Sequence, residues 1–245
     1  MKRRGKNAKL SLVIPTKDRY EILIETIPIL SKQGFYEIIL VDSSNALEAA
    51  KNKKLCEKLS IRYYHFVGNR EEARNFGVKK AKGDWVYIFD DDVVLDKFNW
   101  KIFNEVAKGD YDFIHTKGAC YVWIFRRNFF LKIGGYDPKL CYGDDYDITV
   151  RAYENGKPAR SQLIKIGGSV RGTLKMRWRG TLYYSMTMLT FFRKYPTLKN
   201  ALSIPYRPVF FLTKLAQEKT KESLIKLMLT TLGVLLSPFY YIKNL

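Results

Sequence analysis

The sequence predicts an α/β fold, a mostly parallel mixed sheet with helices on both faces, followed by a helical C-terminal segment of different chemistry. Three observations carry this expectation. Four short runs rich in β-branched and aromatic residues alternate with three stretches whose apolar residues recur at helical spacing. Apolar residues make up 47% of the 245, enough for a sizeable core and too many for a disordered polyelectrolyte. Charge is unevenly placed: no Asp or Glu occurs between Glu154 and Glu218, whereas nearly all carboxylates lie in the first two-thirds of the chain.

The elements follow in order. "KLSLVIP" (9–15), "YEIILVD" (36–42), "IRYYHFV" (61–67) and "DWVYIFD" (84–90) are the expected strands. Between them, "RYEILIETIPILSKQG", "NALEAAKNKKLCEKLS" and "NREEARNFGVKKAKG" are the expected helices. Asn45 and Asn69 stand as N-caps, and Gly34 and Gly83 stand where two of these helices should stop. Strand, helix, strand, helix implies a parallel sheet covered on both faces. From 97 to 155 the pattern is mixed. It gives a helix near 97–108, strands near 111–125, a tight "KIGGYDP" turn, and a helix from "GDDYDITVRAYENG" ending at Gly156. Beyond it, "SVRGTLKMRWRG" (169–180) reads as a long basic loop, and "YYSMTMLTFFRKY" as a helix stopped by Pro196.

The expected organisation is a first domain over 1–195, dividing at about residue 95 into two halves, and a C-terminal helical segment over 196–245. In the last segment, "LIKLMLTTLGVLLSPFYYI" spans 19 residues, which at about 1.5 Å per residue only just matches a bilayer core. Lys226, Thr230, Gly233 and Ser237 recur on one polar stripe, and Pro238 interrupts the run. A polar stripe with basic flanks favours a helix lying in a membrane interface over one that crosses it. The alternative is a helix packed on the protein's own core.

Net charge narrows the partners. With 43 Lys and Arg against 24 Asp and Glu the chain carries +19, which points to nucleic acid, an acidic membrane face or phosphorylated substrates. Twelve basic residues fall within the acid-free stretch 155–217. Cys56, Cys120 and Cys141 are an odd set without a close pair, which fits a reducing compartment and argues against a disulfide framework. The N-terminus "MKRRGKNAKL" is basic but lacks the apolar core of a signal peptide. The expected location is cytoplasmic, peripheral on the inner face of the cell membrane.

In an open parallel sheet, ligands bind outside the carboxyl ends of the strands. There the first strand delivers Pro15, Thr16, Lys17, Asp18 and Arg19, the second Asp42, Ser43 and Ser44, and the fourth Asp90, Asp91 and Asp92. Three consecutive carboxylates repel one another unless they are solvated in a turn or share a cation. A hard divalent ion such as Mg²⁺ or Mn²⁺ takes carboxylate oxygens and bridges to phosphate.

In order along the chain, "LSLVIPTKDR", "IILVDSSN", "NREEARNFGVKKAKGDWVYIFDDDV" and "GGYDPKLCYGDDYDITVRAYENG" resemble family 2 of the inverting GT-A glycosyltransferases, over residues 9 to about 156. The resemblance implies a GT-A fold, a nucleotide-sugar donor, and Mn²⁺ or Mg²⁺ as cofactor. By position it implies that Thr16, Asp18, Asp42 and Arg74 line the nucleotide-base pocket. Asp90 and Asp91 face the ribose and diphosphate, and Asp92, with Asp90, holds the metal. Asp145 is the implied general base, preceded by Asp144 where the family usually has Glu. A base is needed because a sugar hydroxyl is a poor nucleophile until its proton is being removed. "KMRWRG" resembles the Gln-x-x-Arg-Trp element of processive members, with Leu174 in place of Gln, and puts Arg177 near the leaving diphosphate. Tyr136 and Trp123 are candidates to stack on an acceptor sugar or to lie in the core, and His65 and His115 are expected to pack.

Two rival readings remain beside glycosyl transfer to a glycan or lipid-linked acceptor. A nucleotidyltransferase shares such a sheet and acidic site, but usually needs a glycine-rich loop that "PTKDRYEIL" lacks. Nucleic-acid binding rests on net charge alone, with no recognisable binding motif.

Overall fold

The computed structural model describes residues 8–116, 123–161, 163–169, 182, 185–196 and 221–243. They belong to two compact units, residues 1–137 with 145–171, and residues 138–144 with 172–245.

The first unit is built on β1 (Leu10–Thr16), α1 (Tyr20–Ser31), β2 (Glu37–Asp42), α2 (Ala46–Lys58), β3 (Arg62–His65), α3 (Arg70–Lys80) and β4 (Trp85–Ile88). After these come β5 (Val93–Phe98), α4 (Trp100–Ala107), β6 (Phe113–Thr116), β7 (Ile124–Arg126), α5 (Arg127–Lys132), α6 (Asp144–Asn155, all but its first residue in this unit), β8 (Pro158–Ser161) and β9 (Ile164–Ser169). Seven strands form one sheet in the order β3-β2-β1-β4-β7-β6-β8, and β5 pairs with β9 in a separate antiparallel ribbon. The β1–β2, β2–β3, β1–β4 and β6–β8 pairs are parallel, whereas β7 runs antiparallel to both its neighbours.

At the centre of the sheet both faces are buried, which is why β1, β2 and β4 are nearly continuous apolar runs instead of alternating ones. Leu12, Ile14, Leu40 and Tyr87 pack with Leu23, Ile27 and Leu30 of α1 and with Leu95, Phe98 and Phe103. Val13, Ile39, Val41, Val86 and Ile88 point to the other face, against Ala73 and Val78 of α3 and Phe125, Phe129 and Phe130. Sequence position within each strand thus decides the face.

Local signals set several boundaries. The Asn45 side chain accepts from the amides of Leu47 and Glu48, and Asn69 forms a reciprocal capping box with Glu72. Gly34 lies just past α1 with φ +81°, as a helix stop should. Gly83 has a different role from the one expected. Helix α3 ends at Lys80, and a Cβ on Gly83 would fall 2.8 Å from the Lys9 carbonyl oxygen, so glycine there lets the chain cross close to β1. The helix expected from residue 97 starts at Trp100, because 93–98 is taken by β5. Elements α5, β8 and β9 are too short to announce themselves by an apolar period. The sheet is mostly parallel and mixed, as expected, its antiparallel member being β7, inserted between β4 and β6.

In the second unit, helices α7 (Met188–Lys194) and α8 (Lys221–Lys243) are described. The stripe expected to face water is partly inside. Thr230 is fully buried, and a Cβ on Gly233 would meet Ser185 Cβ at 2.6 Å, so this side of α8 is in close contact with the segment preceding α7. The exposed side carries Leu224, Met228, Leu232 and Leu235, of which Met228 and Leu235 are 61% and 65% exposed. Small residues permit close helix approach, so burial here follows size and not polarity. Among the described residues no helix is long and apolar enough to cross a membrane.

Candidate active site

Register brings the acidic triplet level with the end of β1. Val13 pairs with Ile88, and the ladder continues through the Phe89 amide donating to the Val13 carbonyl at 2.9 Å. Three residues further on, Thr16 Oγ1 donates to Asp91 Oδ2 at 2.7 Å. Thr26 of α1 donates to the Asp91 carbonyl at 2.9 Å, fixing the backbone of the triplet from the side. Asp91 is consequently buried, whereas Asp90 and Asp92 remain open with 50% and 37% of their side-chain surface exposed.

Two arginines answer the three carboxylates. Arg19, just beyond β1, lies 2.7 Å from Asp91 and 3.2 Å from Asp92. Arg74 of α3, nearly fully buried, donates to Asp90 at 2.9 Å and lies 3.7 Å from Asp145 Oδ1. Burial pushes the Asp91 carboxyl up to about 6, against the opposing pull of Arg19 and Thr16. Partial burial also works to raise Asp90, but Arg74, with Arg70 and Arg19 behind it, outweighs this and holds that carboxylate below its ordinary range. A small cavity of about 40 Å³ lies beside Arg74 and Asp90, with Trp123 on its wall.

The other expected site residues divide. Asp18 adopts φ +52° and its carboxylate accepts from the Asn45 amide at 3.0 Å and side chain at 2.8 Å, tying the β1 turn to the head of α2. Asp42 is fully buried. Its Oδ1 accepts from the Ser44 amide, and its Oδ2 from Asn52 and from the Tyr63 hydroxyl. Burial and the Asp42 charge together keep that hydroxyl protonated. These bonds brace the end of β2 against α2 and β3. Asp144 is buried at the first turn of α6, and Asp145 follows with a quarter of its side chain exposed. Asp147 is fully buried in an ion pair with Arg151, whose guanidinium also donates to the Ile133 and Gly135 carbonyls. Arg177 and Trp178 lie outside the described residues.

Tyr136 is not an acceptor platform. It is 1% exposed, with the Arg74 guanidinium 4.6 Å over its ring and its hydroxyl donating to Asp145 Oδ1 at 3.3 Å. Trp123 is partly buried. His115 bonds the Tyr153 hydroxyl at 2.7 Å, whereas His65 is exposed at the end of β3, contrary to the packing expected of it. The sequence placed Arg19 at this end of the sheet without a partner and gave Thr26 and Asn75 no role, because their partners lie 61 to 73 residues away.

Among the described residues no group of three or more His, Cys, Asp or Glu side chains forms a ready metal cage. The donor set still fits a hard cation. Asp90 and Asp92 offer exposed carboxylate oxygens, and Mg²⁺ is usually held by one or two carboxylates together with substrate phosphates.

The mostly parallel sheet, with acidic residues at the carboxyl ends of its strands, has the GT-A fold. Mannosyltransferase PcManGT from Pyrobaculum calidifontis, in complex with GDP-Man and Mn²⁺, superposes with a TM-score of 0.56 at 14% identity, over 98% of this chain and 87% of that one. S. aureus TarS superposes with a TM-score of 0.55 at 17% identity, over 74% of this chain and 40% of that one. Residues 11–129 match the model of glycosyl transferase family 2. Glycosyltransferase GlyG of Streptococcus pneumoniae serotype 4 is 25% identical over 138 residues, 49% of this chain and 45% of that protein. The uncharacterized glycosyltransferase YwdF of Bacillus subtilis is 34% identical over 114 residues, 44% of this chain and 41% of that protein. Both matches span less than half the relative's length.

Proposed function

We propose that this chain transfers a sugar from a nucleotide-sugar to an acceptor hydroxyl with inversion, aided by Mn²⁺ or Mg²⁺. The single observation that supports it best is Arg74, which links the acids at the end of β4 to Asp145 at the start of α6. One cation thus joins the donor side to the residue proposed as base.

In this reading Asp90 and Asp92 hold the metal and the donor diphosphate, with Asp91 set behind them by Thr16 and Arg19. The metal, when bound, offsets the negative charge that develops on the leaving diphosphate. Asp145 accepts the proton of the acceptor hydroxyl as its oxygen bonds to the anomeric carbon. The bond from that carbon to the phosphate oxygen breaks, and the nucleoside diphosphate leaves with the electron pair. A single displacement of this kind inverts the anomeric centre. Such a base contributes about 10²–10⁴ in rate. Of the expected base-pocket residues, Asp42 acts from within, bracing the loop that carries Ser43 and Ser44.

The proposed acceptor is a lipid-linked glycan, and the proposed location is the cytoplasmic face of the cell membrane. The exposed Leu224, Met228, Leu232 and Leu235 on α8 support an interfacial helix, and the acid-free stretch 155–217 supplies attraction to anionic lipid.

The test is a screen of UDP- and GDP-sugars for Mn²⁺-dependent turnover, repeated with Asp92→Asn and Asp145→Asn. Asp92→Asn should remove metal-dependent donor binding with the fold intact. Asp145→Asn should keep donor affinity and lower turnover by about 10² or more. Full turnover by either variant would remove its assigned role.

A further inference from the structure

We infer that Tyr136 is a positioning residue with two separable functions, its hydroxyl orienting Asp145 and its ring holding Arg74, and that Asn75 fixes it to α3. The inference rests on the glycosyl-transfer reading above and adds to it the residue that couples the donor side to the base.

The geometry is specific. The Tyr136 hydroxyl donates to Asp145 Oδ1, the same oxygen that Arg74 approaches at 3.7 Å. Both contacts therefore converge on one oxygen and set the rotation of the carboxylate. The Arg74 guanidinium also lies over the Tyr136 ring, 4.6 Å from its centroid, within range of a cation–π contact. Asn75, next to Arg74 on α3, clasps the backbone of Tyr136 from both directions. Its Oδ1 accepts from the Tyr136 amide at 2.8 Å and its Nδ2 donates to the Tyr136 carbonyl at 2.7 Å.

The preceding residue is built to allow this clasp. Gly135 has φ +67°, and a Cβ there would fall 2.4 Å from Asn75 Oδ1. Any side chain at 135 would push the clasp apart as well as strain the backbone. Consecutive residues of one helix, Arg74 and Asn75, thus grip the ring and the backbone of the same tyrosine. A buried aromatic residue that served packing alone would need neither the hydroxyl bond nor the clasp. A general base must be held within a fraction of an ångström of its working position, and supporting contacts of this kind do so.

Tyr136→Phe and Tyr136→Leu separate the two functions. They are measured in the full chain with the nucleotide-sugar found active in the screen. The readouts are kcat for transfer, Kd for UDP and GDP with Mn²⁺ by calorimetry, and the unfolding midpoint. Tyr136→Phe keeps the ring and should fold normally. It should lose about tenfold in kcat, the worth of one hydrogen bond to a charged group, with Kd within about twofold of the parent. Tyr136→Leu should show the same kcat loss and in addition a several-fold weaker Kd, as Arg74 loses its platform. A Tyr136→Phe protein with unchanged kcat would overturn the orienting function. Equal loss of kcat and donor affinity in the two variants would reduce Tyr136 to scaffold and overturn the division. A parent protein that turns over none of the nucleotide-sugars, though it binds UDP or GDP, would overturn the glycosyl-transfer reading and the inference with it.

Discussion

Arg74→Met tests the electrostatics of the crevice directly. The substitution keeps an unbranched apolar stem and removes the guanidinium of a side chain that is 2% exposed. Three contacts among the described residues go with it. A charge-assisted hydrogen bond is worth about 1.5–3 kcal/mol, and the value for Asp90 lies at the low end because half of that side chain is in solvent. The cation–π contact with Tyr136 adds about 0.5–2 kcal/mol at this degree of burial. The 3.7 Å approach to Asp145 is too long for a hydrogen bond and adds only about a few tenths of a kcal/mol. Against these stands the relief of desolvating a buried cation, so the net loss should be about 1.5–3 kcal/mol. For a chain of this size that corresponds to a fall in Tm of about 3–10 °C. Urea unfolding of Arg74→Met, Asp90→Asn and the double variant closes a cycle in which the coupling should be about 1 kcal/mol or more. A variant within about 0.5 kcal/mol of the parent, with no coupling to Asp90, would refute the reasoning.

Three further outcomes follow from other parts of the structure. Burial works to raise the Glu37 carboxyl, but the Ser11 hydroxyl, the Lys82 amide and Arg62 hold it below its ordinary value, so its contribution is present above the unfolded carboxylate pKa and is lost as pH falls through the folded one. Glu37→Gln should cost about 1–2 kcal/mol at neutral pH and flatten the acid limb of a urea-midpoint curve, and a limb of unchanged slope would refute this. Burial, then the charges of Asp42 and Glu57, push the Cys56 thiol up to about 12, so native protein at mildly alkaline pH should label at Cys56 at least about 100-fold more slowly than urea-unfolded protein, read by peptide mass. Met228→Glu combined with Leu235→Glu, on the exposed side of α8, should weaken binding to phosphatidylserine vesicles about tenfold or more without altering the fold, and unchanged binding would remove the interfacial assignment.

The period of apolar residues alone located β1 to β4 and α1 to α3, because each of these elements buries a face that its own spacing announces. The N-caps at Asn45 and Asn69 were equally legible, being satisfied within three residues of themselves. So was the position of the acidic triplet, since the end of an apolar run is visible in one dimension. What the triplet does there was not. Whether Asp90 meets Arg74 or Arg70, and whether Arg19 reaches Asp91, depends on the β1–β4 register and on contacts 16 to 72 residues apart. Asp42 stands at a strand end like the others, yet only the tertiary structure turns it inward to Asn52 and Tyr63. A strand ending near 125 was legible, but not its antiparallel direction, which its pairing with β4 and β6 decides. On α8 the polar residues were plain in the sequence, but the buried side was chosen by close approach at Gly233, a contact that no pattern of polarity records.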